Sequence, residues 1–136
     1  MDLDFERIAR DLVGIQYRDY GRDAITGVDC FGLVMLFYRS VGITTFDNIR
    51  ILYEMRISNL EYIAMVAKSL YIPIATLEKT GNLIAFEYDG LNDSHLGVRL
   101  DNDRFLHIIK DWGATINNIT VPWQRRIVAE YDVIRA

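Results

Sequence analysis

The chain has 136 residues, 51% of them hydrophobic and 25% charged, and a net charge of −4. That length supports one domain, residues 1–136, around one sizeable core, because two domains would leave neither half enough interior. The basic residues are dispersed and outnumbered, so no patch for a phosphate backbone is expected and nucleic acid is excluded as a ligand class. The N-terminal run Met1-Asp2-Leu3-Asp4-Phe5-Glu6-Arg7 lacks the positive-then-apolar layout of a secretory signal, so no signal peptide is expected. The longest apolar run, Phe31 to Tyr38, falls far short of the roughly 20 residues that span a bilayer, so no membrane insertion is expected. A single cysteine, Cys30, can form no internal disulfide and no cysteine-rich metal site.

In chain order, Phe5, Ile8, Ala9, Leu12 and Val13 recur at helical spacing with Asp4, Glu6, Arg7, Arg10 and Asp11 opposite, which predicts an amphipathic helix ended by Gly14. Residues 16–29 mix glycine, tyrosine and charge with neither period and predict an ordered loop. The stretch from Cys30 to Val41 is apolar on nearly every side and predicts a central buried helix, closed by Gly42. Between Thr44 and Glu78 one or two packing helices are expected, most clearly from Asn59 through Leu70, before Pro73 intervenes. After Gly81 the texture changes to short β-rich runs: Asn82 to Tyr88, His95 to Leu100, Arg104 to Ile109, Thr115 to Val121 and Arg126 to Ile134, with a turn at Asp101-Asn102-Asp103. Helices followed by strands imply an α+β fold, with helices packed against one antiparallel sheet.

The chemistry concentrates at Cys30. A loop running into a helix places it at the first helical turn, with Asp29 in the capping position. Unpaired backbone N–H groups at a helix start stabilise a thiolate and offer donors to an oxyanion in acyl transfer. Asp29 opposes a second negative charge, so an imidazolium partner is needed to hold a thiolate. Gly32 is expected to let the helix approach the sheet closely. The competing reading of Cys30 is a small core residue, since free cysteine is among the most buried types.

The chain's two histidines, His95 and His107, fall on adjacent predicted strands. A turn at 101–103 brings the two imidazoles close on one sheet face, and a helix packed on that face would present Cys30 to them. Nucleophile, base and orienting residue then stand together, as thiol catalysis requires. Each histidine taken alone also fits a half-buried structural role. Two histidines and one cysteine lack the close ligand spacing of zinc sites, so neither a metal nor another cofactor is expected.

The runs Asp29-Cys30-Phe31-Gly32-Leu33-Val34, Gly81-Asn82-Leu83-Ile84-Ala85-Phe86, His95-Leu96-Gly97-Val98 and Phe105-Leu106-His107 resemble, in order and spacing, the NlpC-type family of papain-like cell-wall peptidases. The run from Tyr17 to Asp23, with an aromatic rather than a serine after the cysteine, looks most like the bacteriophage tail-associated branch. The resemblance extends from about Gly14 to the C-terminus. It implies a papain-like fold and cleavage of an amide bond in peptidoglycan stem peptides through an acyl-enzyme on Cys30, with His95 as base and His107 orienting it. Of the loop tyrosines, Tyr17 best matches the family residue whose hydroxyl lies near the cysteine, with one extra residue between them, and Tyr20 competes for that role. Asp29 would contact the substrate amine, although capping alone accounts for it. Phe31 replaces the commoner serine, Asn82 stands where the family usually has Asp, and residues 44–78 match no motif.

A phage-tail peptidase would be virion cargo or a tail-tip part, made in the host cytoplasm and partnered by tail proteins. Two alternatives remain open: a structural tail or assembly protein on the same fold with little hydrolysis, and a different acyl transfer to the thiol, on a small amide or lipid.

Overall fold

A computed structural model describes residues 4–44, 46, 59–87 and 94–134. Helix α1 (Phe5–Leu12) starts where the Asp4 carboxylate accepts the Arg7 N–H at 3.0 Å, and the chain leaves it through Gly14 at φ +95°. The stretch read as an irregular loop contains a small antiparallel hairpin, β1 (Arg22–Asp23) with β2 (Gly27–Val28). Its turn is held by Asp23 Oδ1, which accepts from the amides of Ile25 and Thr26 at 2.7 and 3.2 Å. Strands this short carry no periodicity, which is why the pattern reads as loop.

Helix α2 (Cys30–Ser40) is the central element, and Phe31, Leu33, Val34, Phe37 and Tyr38 are all buried. Helix α3 (Asn59–Ser69) follows the predicted span, with Val66 and Ala67 buried. A second helix before it would fall on residues 47–58, which lie outside the described residues. No helix among the described residues is long and apolar enough to cross a membrane.

The remaining elements are β3 (Leu83–Glu87), β4 (Ser94–Arg99), β5 (Arg104–Ile109), β6 (Gly113–Asn118), the short helix α4 (Val121–Arg125) and β7 (Ile127–Tyr131). The strands form one antiparallel sheet in the order β6-β5-β4-β3-β7. The expected boundaries of the last two strands move most. The strand read as Thr115 to Val121 starts at Gly113 and stops at Asn118, and Val121 opens α4 instead. Pro122 sits in the first turn of that helix, where a missing N–H costs nothing. The last strand is correspondingly shorter than Arg126 to Ile134.

Alternation gives the sheet two apolar faces. Leu83, Ala85, Leu96, Val98, Leu106 and Ile108 share a core with α2, whereas Ile84, Phe86 and Phe105 form a separate cluster with Trp123 of α4. Each large side chain fully buried in this way stabilises the fold by about 1.5–3 kcal/mol. At the far end of β4, Arg99 is 1% exposed and grips Glu130 of β7 through Nε and Nη2, both at 2.9 Å. Asn82 Nδ2 donates to the same carboxylate at 2.6 Å. An aspartate at 82 would set two carboxylates against each other, which accounts for the amide at a position where the resembling family usually carries an acid.

Candidate active site

Asp29 caps α2 and organises the loop before it. Its Oδ1 accepts from the Gly32 amide and from Arg22 Nη1, both at 2.8 Å, and its Oδ2 accepts from the Tyr20 amide at 3.1 Å. The residue is 3% exposed and both its oxygens are engaged by donors of the chain itself. The visible role of Asp29 is therefore capping and ion pairing. Gly32 corrects the expectation of close helix–sheet approach: a Cβ there would run into the Gly21 carbonyl oxygen and Val28, so the tight contact is with the preceding loop. The Phe31 ring serves as an anchor. It is 1% exposed, meets Phe46 edge-on at 6.3 Å and lies under the Arg22 guanidinium, an anchoring task that serine could not perform.

The sheet is open where the cysteine meets it. Strands β4 and β5 pair over Gly97↔His107, Val98↔Leu106 and Arg99↔Phe105, so their ladder does not extend to the start of β4. The half-buried Cys30 thiol occupies this place, within hydrogen-bonding reach of the amides of Leu96 and Phe31. Leu96 directly follows His95. The expected packing of α2 on the histidine face does not occur: α2 covers the Leu96–Leu106 face, while His95 and His107 stand with Phe86, Phe105 and Trp123. The cysteine, at the start of α2, meets the histidine strand at the Leu96 amide.

The histidines themselves are brought together. His95 Nε2 lies 2.8 Å from His107 Nδ1, and His107 Nε2 lies 2.6 Å from Asn117 Oδ1 on β6. Burial pushes the imidazoles down to about 3 for His95, with repulsion from His107 added, and to about 4 for His107, against the opposing pull of Asn117. Burial and the Asp29 charge push the Cys30 thiol up to about 12, with the Leu96 and Phe31 amides and Arg22 opposing. Both shifts favour the neutral thiol and the neutral imidazole over a thiolate–imidazolium pair. The arrangement suits general-base transfer of a proton in step with attack by sulfur.

The two loop tyrosines divide sharply. Tyr17 is half-buried and forms a parallel bridge with Val28, with its hydroxyl pushed above its usual range by burial and by Asp19. Tyr20, at φ +60°, is 71% exposed, and its backbone amide is the part that reaches Asp29. Beside Tyr17 opens a cleft of about 400 Å³ lined by Gln16, Tyr17, Lys110, Asp111 and Trp112. Among the described residues no group of three or more His, Cys, Asp or Glu is placed to hold a metal ion.

Sequence reasoning passes over Asn117 and Trp123. Trp123 packs on both imidazoles, with ring centroids 5.6 Å from His95 and 5.1 Å from His107, and so helps to desolvate them. Asn117 faces Phe105 across the β5–β6 ladder and reaches His107 diagonally, a neighbour that the hairpin register would have indicated.

The sequence profile of the NlpC/P60 family matches residues 14–131. The chain belongs to the NlpC/P60 family. No curated protein matches it. Among solved structures, an NLP/P60 family protein described as similar to lipoprotein, from Staphylococcus aureus subsp. aureus Mu50, is 22% identical with a TM-score of 0.65, over 100% of this chain and 44% of its own. An NlpC/P60 family protein from Bacillus cereus ATCC 10987 is 20% identical with a TM-score of 0.68, over 97% of this chain and 40% of its own. The NlpC/p60 domain of the peptidoglycan hydrolase SagA is 17% identical with a TM-score of 0.58, over 95% of this chain and 96% of its own. This NlpC/P60 chain thus spans less than half the length of the first two and nearly all of the third. At these identities the likeness establishes the papain-like α+β fold.

Proposed function

We propose that this NlpC/P60 domain is a cysteine peptidase that cleaves an amide bond in peptidoglycan stem peptides. The observation that carries the reading is the Cys30 thiol set at the start of β4, against the amide that follows His95, with His95 backed by His107. As sulfur bonds to the substrate carbonyl carbon, the thiol proton passes to His95, and N–H groups at the start of α2 stabilise the oxyanion. Collapse of the adduct breaks the C–N bond, His95 returns the proton to the leaving amine, and a thioester on Cys30 remains. Water activated by His95 then hydrolyses the thioester and regenerates the thiol. His107 orients His95 throughout. Tyr17, which interacts with Cys30, also lines the Trp112 cleft, and we assign that cleft to the stem peptide.

The experiment is digestion of purified peptidoglycan and of synthetic stem peptides by wild type and Cys30→Ala, with products identified by mass spectrometry. New amine and carboxyl termini produced by wild type alone support the reading and name the bond. No products with reduced wild-type protein would turn the assignment toward a structural tail protein or another acyl substrate.

Within the same reading we assign the domain to a bacteriophage tail, where local wall cleavage opens a passage during infection. That assignment rests on the Tyr17–Asp23 run and on the aromatic Phe31 after the cysteine. Presence of the protein in purified virions would support it, and absence would count against it.

A further inference from the structure

We propose that Asn117 is a positioning residue of the thiol site, fixing the tautomers of both histidines so that the lone pair of His95 lies on Nδ1. The inference rests on the peptidase reading for its catalytic meaning but not for its geometry. An amide oxygen can only accept, so Asn117 Oδ1 at 2.6 Å requires the proton of His107 to sit on Nε2. With His107 neutral, its Nδ1 then carries a lone pair and can only accept. The 2.8 Å contact in turn requires His95 to donate from Nε2. A neutral imidazole carrying its proton on Nε2 has its lone pair on Nδ1. One side-chain oxygen on an exposed edge strand therefore decides, two hydrogen bonds away, which atom can take the Cys30 proton.

The opposite arrangement is equally definite. If the amide NH2 of Asn117 faced His107, the chain of donors would reverse: His107 would be protonated on Nδ1, His95 Nε2 would accept, and His95 Nδ1 would carry a proton. That imidazole could not accept the thiol proton on the Nδ1 side. Burial sharpens the choice, because it pushes both imidazoles toward the neutral form before the thiol proton arrives. Loss of the correct tautomer leaves a site whose geometry is intact but whose base is unavailable.

The test is the nitrogen-15 NMR pattern of the two imidazoles in the intact protein at neutral pH, with Asn117→Leu and Asn117→Asp alongside. Asn117 lies on the surface of β6, and unfolding profiles of both variants check that they fold. The expected result is the Nε2–H tautomer at both histidines in wild type and in Asn117→Asp, which keeps an acceptor. In Asn117→Leu a mixture of tautomers appears and hydrolysis falls about 10-fold to 100-fold, the scale at which partners that orient a functional histidine act. Nδ1–H at His107 in wild type would overturn the proposal. Unchanged tautomers in Asn117→Leu would overturn it as well, whatever the activity of that variant. Expected tautomers in a wild-type protein that cleaves no peptidoglycan would sink the peptidase reading and leave the role of Asn117 standing.

Discussion

Strand β4 carries a buried polar cluster at each end, and the two are built differently. At one end Arg99 and Glu130 are oppositely charged, bidentate and joined by Asn82 and by the carbonyls of Asp101 and Asn102. At the other, His95 and His107 are neutral and linked in a single file that runs from Asn117 toward the Cys30 end of the sheet. The Arg99 guanidinium is held by opposite charge and by several acceptors, so moving a proton there would break the cluster. In the file of imidazoles each ring holds one proton and one lone pair, so a proton can enter at one end without breaking the line. Burial serves stability in the first case and reactivity in the second.

Mutations should separate the two ends, and the largest effect should fall at the thiol. Cys30→Ala is expected to lower stem-peptide hydrolysis by roughly 10⁴-fold or more, since loss of a nucleophile removes the covalent route altogether, while its unfolding midpoint stays close to that of wild type. His107→Ala should cost about 10²-fold to 10⁴-fold in kcat, the range for general acid–base assistance, with a smaller change in KM. Glu130→Ala should act the other way round. Leaving Arg99 buried without its partner should cost about 3–5 kcal/mol in urea unfolding, with kcat little changed in the fraction that stays folded. An equal loss of activity and stability in all three variants would dissolve the distinction.

The last effect expected is on pH. Both histidines have folded values below the ordinary 6.5, at about 3 and about 4, so the unfolded chain binds more protons as the medium becomes acidic. The stability from their neutral burial is fully present above 6.5 and is lost as pH falls toward about 4 and then about 3. Unfolding free energy should therefore decrease between neutral pH and about pH 5, and decrease less in His107→Gln, which lacks one of the titrating groups. The same values place the acid limb of kcat/KM far below 6.5, and a limb near 6.5 would mean that His95 is not buried in the working enzyme.

The sequence made the thiol end legible because its signals are local. A capping aspartate followed by an apolar run marks the start of α2, and the β-rich run from Arg104 to Ile109 matches β5 to the residue. The turn at Asp101–Asp103 follows from its side chains, since Asp101 Oδ1 accepts the Asp103 amide at 2.8 Å. From that turn, the proximity of His95 and His107 follows by counting. The side of the sheet that α2 covers could not be read in the same way. Both faces carry apolar residues, so alternation does not say which of them a helix covers. Helix α4 escaped notice because five residues carry no periodicity, and Trp123 escaped with it. Asn117 was hidden by the misplaced start of β6, since the diagonal to His107 appears only once Thr115 is known to face that histidine.

The most direct test of the account is to trap the intermediate on the cysteine. Wild-type protein mixed with a stem peptide, quenched in acid within one turnover and mapped by mass spectrometry should carry the acyl half of the substrate as a thioester on the peptide containing Cys30, and hydroxylamine should release it. Hydrolysis that proceeds with no adduct on Cys30, and that survives in Cys30→Ala, would contradict the account.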